Sequence, residues 1–209
     1  MADEHLGLDA AYALKTPEDS VRLYGDWAKT YDDEFAAAQD YQLPMRVAEA
    51  FHAGGGTGPV LDVGAGTGLV GARLAGLGVG PVDGVDISPA MLLVAREKRV
   101  YSSLFEGDLT GRLAVKDGTY AGIVSSGTFT LGHVGPEAID ELLRIAAPGA
   151  LFVLSVNAAH YQSAGFAATF ARLGARISAP DLPKVAIYGP NADPAHRDDR
   201  AILATFRKL

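Results

Sequence analysis

The feature that most constrains this chain is the run Val60-Leu61-Asp62-Val63-Gly64-Ala65-Gly66-Thr67-Gly68, followed by the largely apolar stretch 69–77. A segment that reads as a buried strand ends in three alternating glycines, and a helix-forming segment starts at once. Glycine lacks the Cβ that would hold a ligand away from such a turn. The helix beyond it offers unpaired backbone N–H groups and the positive end of its dipole. This geometry suits a nucleoside carrying an anionic group, and in open α/β sheets ligands settle at the carboxyl ends of the strands.

From Val60 onward the pattern alternates. Apolar segments at 60–63, 81–87, 101–106, 121–126 and 151–156 predict strands, with helices between them near 68–77, 89–98 and 136–146. Such alternation builds a parallel sheet with helices on both faces, an α/β three-layer sandwich. A further helix is predicted over 161–173. Two strands then follow, Arg176–Tyr188 and Ala201–Phe206, as an antiparallel pair closing the sheet. Ahead of this region Val21, Tyr24, Trp27, Ala28 and Tyr31 recur at helical spacing, and Pro44 opens a second helix toward Phe51. The glycine-rich joint 54–59 divides the chain into an N-terminal helical lid, residues 1–53, and a ligand-binding domain, residues 59–209.

Charge narrows the partners. The net charge of −7 is concentrated at the front, where residues 1–58 carry eleven acidic and four basic side chains. Residues 172–209 carry four acidic and seven basic ones, which read as a solvated face. An acidic front argues against a nucleic-acid substrate, because phosphates need Lys and Arg beside the site. With no cysteine there is no thiol nucleophile and no Cys-based zinc site, and no His/Asp/Glu cluster has ligand spacing, so no metal is expected. No apolar run reaches a signal peptide's flanked core or a membrane span, so a soluble, cytoplasmic protein without membrane contact is expected.

Three carboxylates stand at successive predicted strand ends. Asp62 lies within the first strand, where a buried carboxylate needs a partner. Either a cationic amino group of a ligand supplies it, or the backbone N–H groups of the turn do. Asp86 closes the second strand and can accept from both hydroxyls of a ribose. Asp108 closes the third and can accept from an exocyclic adenine amine. Ile87 and Leu109 follow them, placed to sandwich a flat base. A literal G-x-G-x-x-G also occurs at Gly66, Gly68 and Gly71. Its register differs from a dinucleotide site, because here Gly64 is the glycine that directly follows the strand.

On these residues the sequence resembles the class I, seven-stranded, Rossmann-like S-adenosylmethionine-dependent methyltransferases. The resemblance implies a mostly parallel seven-stranded sheet with an antiparallel C-terminal strand, and S-adenosyl-L-methionine as cofactor. The turn from Asp62 through Gly64, Ala65, Gly66 and Gly68 is similar to the family's first motif, which holds the methionyl and ribose parts. Asp86 matches its ribose-binding acid, and Asp108-Leu109 its adenine-contacting position. By the same resemblance Ser125 and Ser126 lie where the fourth strand meets the methionyl end. Tyr24–Asp32 is similar to an aromatic N-terminal element that lids the cofactor, with Trp27 and Tyr31 on one helix face; Gly25 departs from its usual acid. The stretch Ser125–Val134 resembles, more loosely, the Williams–Beuren-region methyltransferase-like proteins.

Methyl transfer from a sulfonium is an in-line displacement in which alignment carries much of the rate. A base is needed when the nucleophile carries a proton that must leave early. His133, after the fourth strand, and His160, after the fifth, are the candidates, and neither is assigned. The N/D-P-P-Y/F signature of amino-methylating nucleic-acid enzymes is absent after the fourth strand, where Ser-Ser-Gly-Thr-Phe-Thr-Leu-Gly stands instead. A small-molecule acceptor is expected, its acceptor atom and the oligomeric state left open. Two other readings stand beside it: a cofactor-binding regulatory protein without turnover, and a nicotinamide-dependent oxidoreductase using the off-register glycines.

Overall fold

The computed structural model describes residues 16–209, so the first fifteen residues of the expected lid lie outside the described residues. Helix α1 (Pro17–Trp27) starts where Thr16 accepts from the Asp19 N–H at 3.1 Å, with Pro17 and two acids in its first turn. A π-helical segment, Tyr31–Ala37, follows after a break at 28–30. The sequence places Trp27 and Tyr31 on one helix. The break puts them on separate elements, yet their rings still meet edge to face at 5.2 Å.

Helix α2 (Leu43–Ala53) buries Leu43, Val47, Ala48 and Phe51, the three- and four-residue spacing of one helical stripe. The core alternation then runs β1 (Val60–Val63), α3 (Leu69–Gly76), β2 (Val82–Asp86), α4 (Pro89–Glu97), β3 (Ser103–Glu106), β4 (Tyr120–Phe129), α5 (Ala138–Ile145) and β5 (Ala146–Asn157). It ends with α6 (Ala158–Ser163), α7 (Phe166–Leu173), a 3₁₀ turn, β6 (Lys184–Ala186) and β7 (Arg200–Arg207).

Seven strands form one sheet in the order β3-β2-β1-β4-β5-β7-β6. The first five are mutually parallel, while β7 runs antiparallel between β5 and β6. The expected class is therefore the observed one. The strand order reverses between β1 and β4, and the crevice that opens there is the natural ligand site of such sheets.

The pleat sorts the core. Leu61, Val63, Ile123, Phe152 and Leu154 face α5 and α7, where Ile139, Leu142, Phe166 and Phe170 meet them. Val60, Val124, Leu151 and Val153 face the other way, against Val47, Phe51, Val70 and Leu74 of α2 and α3. A third cluster joins Trp27, Phe35 and Leu43 to Ile187, Tyr188 and Ala201 at the C-terminal edge of the sheet.

Two expected elements are corrected. The single helix over 161–173 is two, because Gly165 takes a left-handed φ of 85° and caps a new start at Phe166. The long strand Arg176–Tyr188 shrinks to Lys184–Ala186 with isolated bridges at Ile177 and Asp181. Pro180 and Pro183 lack the N–H that a ladder needs. Among the described residues no helix is long and apolar enough to cross a membrane.

Candidate active site

A cleft of about 310 Å³ opens over the carboxyl ends of β1, β2, β3 and β4. Its floor is the loop Gly64-Ala65-Gly66-Thr67. Gly64 sits at φ +66°, and a Cβ there would collide with Thr128, so the tight exit from β1 admits glycine alone. At Gly66, φ +54°, a Cβ would meet nothing within 4 Å and would project into open space.

Asp86 and Ile87 line one wall; Asp108 and Leu109 extend it. Asp86 Oδ2 accepts from the Gly66 N–H and Oδ1 from the Ser88 N–H, both at 2.8 Å. This carboxylate thus fastens the glycine loop to the second strand end. Burial pushes its pKa above the ordinary value, against those two amide bonds. Asp108 accepts from the N–H and hydroxyl of Thr110 through Oδ1, which shapes the turn after β3.

Asp62 is fully buried and does not reach the cleft surface. It shares the face of Val60, so it points beneath α3 rather than outward. Tyr101 donates its hydroxyl to Oδ2 at 2.7 Å, while Oδ1 has no hydrogen-bond partner. Burial pushes the carboxyl up to about 7, opposed by the Tyr101 bond. Tyr101 is a partner beyond the two expected ones. Tyr101, the partner supplied by the chain ahead of β3, carried no signal that sequence reading could use. Gly71 belongs to the same arrangement, since a Cβ there would strike the Tyr101 ring. Its missing side chain makes room for a tyrosine, which removes the dinucleotide reading of Gly66, Gly68 and Gly71. Gly68 lies behind the wall, as the left-handed N-cap of α3.

The side chain of Ser125 braces the sheet from within. It is fully buried and donates to the Val63 carbonyl at 2.7 Å, which Thr128 also reaches at 3.0 Å. Ser126, on the opposite face of β4, is the one that lines the cleft.

The roof is aromatic. Tyr24 and Tyr31 face the cleft, whereas Trp27, only 3% exposed, stands behind them. A smaller recess of about 50 Å³ adjoins, sharing Tyr24, Tyr31, Tyr41 and Gly127 with the cleft, and Trp27, Phe35 and Tyr188 line it. Burial, then neighbouring Tyr41 and Tyr24, hold the Tyr31 phenol well above its usual pKa. Asp32 ties this roof down. Its carboxylate accepts from the Thr67 hydroxyl in the glycine loop and pairs with Lys98 beyond α4, each at 2.5 Å. Sequence reading gave no sign of these contacts, because they join positions far apart in the chain.

His133 lines the cleft and His160 does not. Nδ1 of His133 lies 2.9 Å from the Leu131 carbonyl and Nε2 lies 3.0 Å from the Tyr24 hydroxyl. His160 Nε2 lies 3.0 Å from the Val134 carbonyl, to which it donates. Among the described residues no group of three or more metal-ligating side chains comes together.

Strand order, glycine loop and two acidic strand ends together are those of the class I, Rossmann-like methyltransferase fold. Residues 60–149 match the family described as methyltransferase domain. The chain is 32% identical over 153 residues to human methyltransferase-like protein 27, covering 71% of this chain and 62% of that protein. It therefore spans less than two thirds of that relative's length. Among solved structures it is similar to a TehB-like S-adenosylmethionine-dependent methyltransferase of Corynebacterium glutamicum, with TM-score 0.61 at 21% identity, covering 89% of this chain and 98% of that one. The [4+2]-cyclase SpnF gives a TM-score of 0.68 at 15% identity, over 94% and 97% of the two chains. At such identities the likeness is one of fold.

The residues present fit the cofactor. Asp86 and Asp108 border the cleft with Ile87 and Leu109 beside them, as a ribose and an adenine require, and the space above Gly66 is open.

Proposed function

We propose that this chain is an S-adenosylmethionine-dependent methyltransferase acting on a small-molecule acceptor in the cytoplasm, with no nucleic-acid or membrane partner. The observation that carries the acceptor class is the roof. Tyr24 and Tyr31 stand over the cleft, and beside it lies a small recess whose lining is mostly aromatic and carries no Lys or Arg.

In this reading Asp86 binds the ribose hydroxyls and Asp108 the adenine amine. Ile87 and Leu109 flank the base, joined by Met91, and Ala65 and Gly66 bring backbone to the methionyl end. Residues 16–53 act as lid, pinned by Asp32. S-adenosylmethionine supplies a methyl group on a sulfonium, whose departure leaves a neutral thioether. The chain's own contribution is to align the acceptor, exclude water and handle its proton.

Calorimetry with S-adenosylmethionine and its demethylated product, followed by a screen for methylated metabolites, tests this. Failure of both ligands to bind at millimolar concentration would overturn the reading. The fold shared with a [4+2]-cyclase favours one alternative, a cofactor-binding protein without methyl transfer. It predicts binding with no methylated product.

A further inference from the structure

The acceptor's proton is the part of this chemistry that the chain must manage itself, and two residues from distant elements meet where that would happen. Tyr24 of α1 and His133 of the loop after β4 both line the cleft, 109 positions apart in sequence, with Oη and Nε2 3.0 Å apart. The Leu131 carbonyl can only accept, so His133 Nδ1, 2.9 Å away, carries the ring proton. In the neutral ring that leaves Nε2 with its lone pair, and the Tyr24 hydroxyl donates to it. Tyr24 also borders the adjoining aromatic recess, so its side chain lines both cavities.

Resting on the methyltransferase reading, we propose that Tyr24 and His133 form a proton relay, and that the acceptor is a phenolic or alcoholic hydroxyl bound beside the Tyr24 oxygen. The acceptor O–H bond breaks and its proton passes to the Tyr24 oxygen, while Tyr24's own proton passes to His133 Nε2. The acceptor oxygen's electron pair forms the bond to the methyl carbon, and the pair of the broken carbon–sulfur bond stays on sulfur. Tyr24 ends neutral and His133 ends as imidazolium, which replaces the positive charge lost from the sulfonium. Tyr24 is the catalytic residue, and His133 acts through it.

The surroundings keep His133 ready to accept. Burial holds its pKa below the ordinary 6.5, against the pull of the Leu131 carbonyl, and His160 lowers it further. The titratable groups that face it are Tyr24 from α1 and His160 from α6; no carboxylate is among those that shift it. The ring is thus neutral at pH 7, the state a relay needs before each turnover. An amine acceptor, which can attack through its own lone pair, or a carboxylate, which has no proton to lose, would make this pair idle.

The full chain is assayed with S-adenosylmethionine against phenols, alcohols, amines, thiols and carboxylic acids. Phenols or alcohols are expected to be methylated, with kcat lowered about 100-fold or more in Tyr24→Phe and His133→Gln. Affinity for the demethylated cofactor should stay within about threefold, well under the tenfold that ~1.4 kcal/mol represents. The rate should rise with pH to a plateau by neutrality, and His133→Gln should move that limb up toward the acceptor's own ionisation. Independently of turnover, nitrogen NMR should show His133 protonated at Nδ1 and not at Nε2. The opposite tautomer overturns the proposal, as do methylation confined to amines, thiols or carboxylates, variants that keep full kcat, and an unchanged pH limb. Cofactor binding with no methyl transfer to any class overturns instead the enzymatic reading beneath it.

Discussion

Replacing Asp62 by Asn isolates the energetic tension at the centre of this site. The carboxyl is fully buried, bonded by Tyr101 at one oxygen and without a hydrogen-bond partner at the other. Its pKa rises from the ordinary 3.8 to about 7. At ~1.4 kcal/mol for each tenfold change in proton affinity, the ionised form costs the free protein on the order of 4 kcal/mol. The folded value lies above the unfolded one, so wild-type stability falls as pH rises from about 4 to about 7 and stays at its lower level beyond. An asparagine keeps an acceptor for the Tyr101 hydroxyl and cannot ionise. Urea unfolding of both proteins from pH 4 to pH 8 should therefore give nearly equal stabilities at the acid end. The Asp62→Asn variant should then lead by a margin that grows to roughly 4 kcal/mol at pH 8. A stability difference independent of pH would refute the buried-charge reasoning.

The open space at Gly66 and the packed sheet centre give two further tests. Gly66→Ala puts a methyl group into the cleft at φ +54°. It should cost about 1–2 kcal/mol in stability from the left-handed backbone while weakening cofactor binding at least tenfold by calorimetry; unchanged affinity would remove Gly66 from the site. Phe152→Ala empties a fully buried position whose ring stacks on Phe206 at 4.7 Å. A loss of about 3–5 kcal/mol is expected, seen as a fall in melting temperature of roughly 6–20 °C, and a fall under about 3 °C would contradict the packing described.

Much of the architecture was legible before any coordinates, because local pattern alone carries it. The apolar run ending in Gly64 specifies a buried strand, a sharp exit and a helix start, and alternation of apolar segments specifies a parallel sheet. Asp86 and Asp108 were found for the same reason: a strand end in such a sheet faces the cleft whatever the neighbours are. Sequence reading failed where a side chain's role depends on which face or which distant segment it meets. Ser125 and Ser126 differ only in the side of the pleat they take, and one braces β1 while the other lines the cleft. Trp27 lies behind the roof because α1 ends at that residue and the chain resumes in a different helix.

The sequence by itself thus determined the fold class, the glycine loop and the acids that border the cleft, all properties of near neighbours along the chain. Only the tertiary structure decided what Asp62 leans on, what fastens the N-terminal segment and where His133 points. Those depend on Tyr101, on Asp32 meeting Thr67 and Lys98, and on Tyr24, contacts made by positions that folding brings together from distances no local pattern spans.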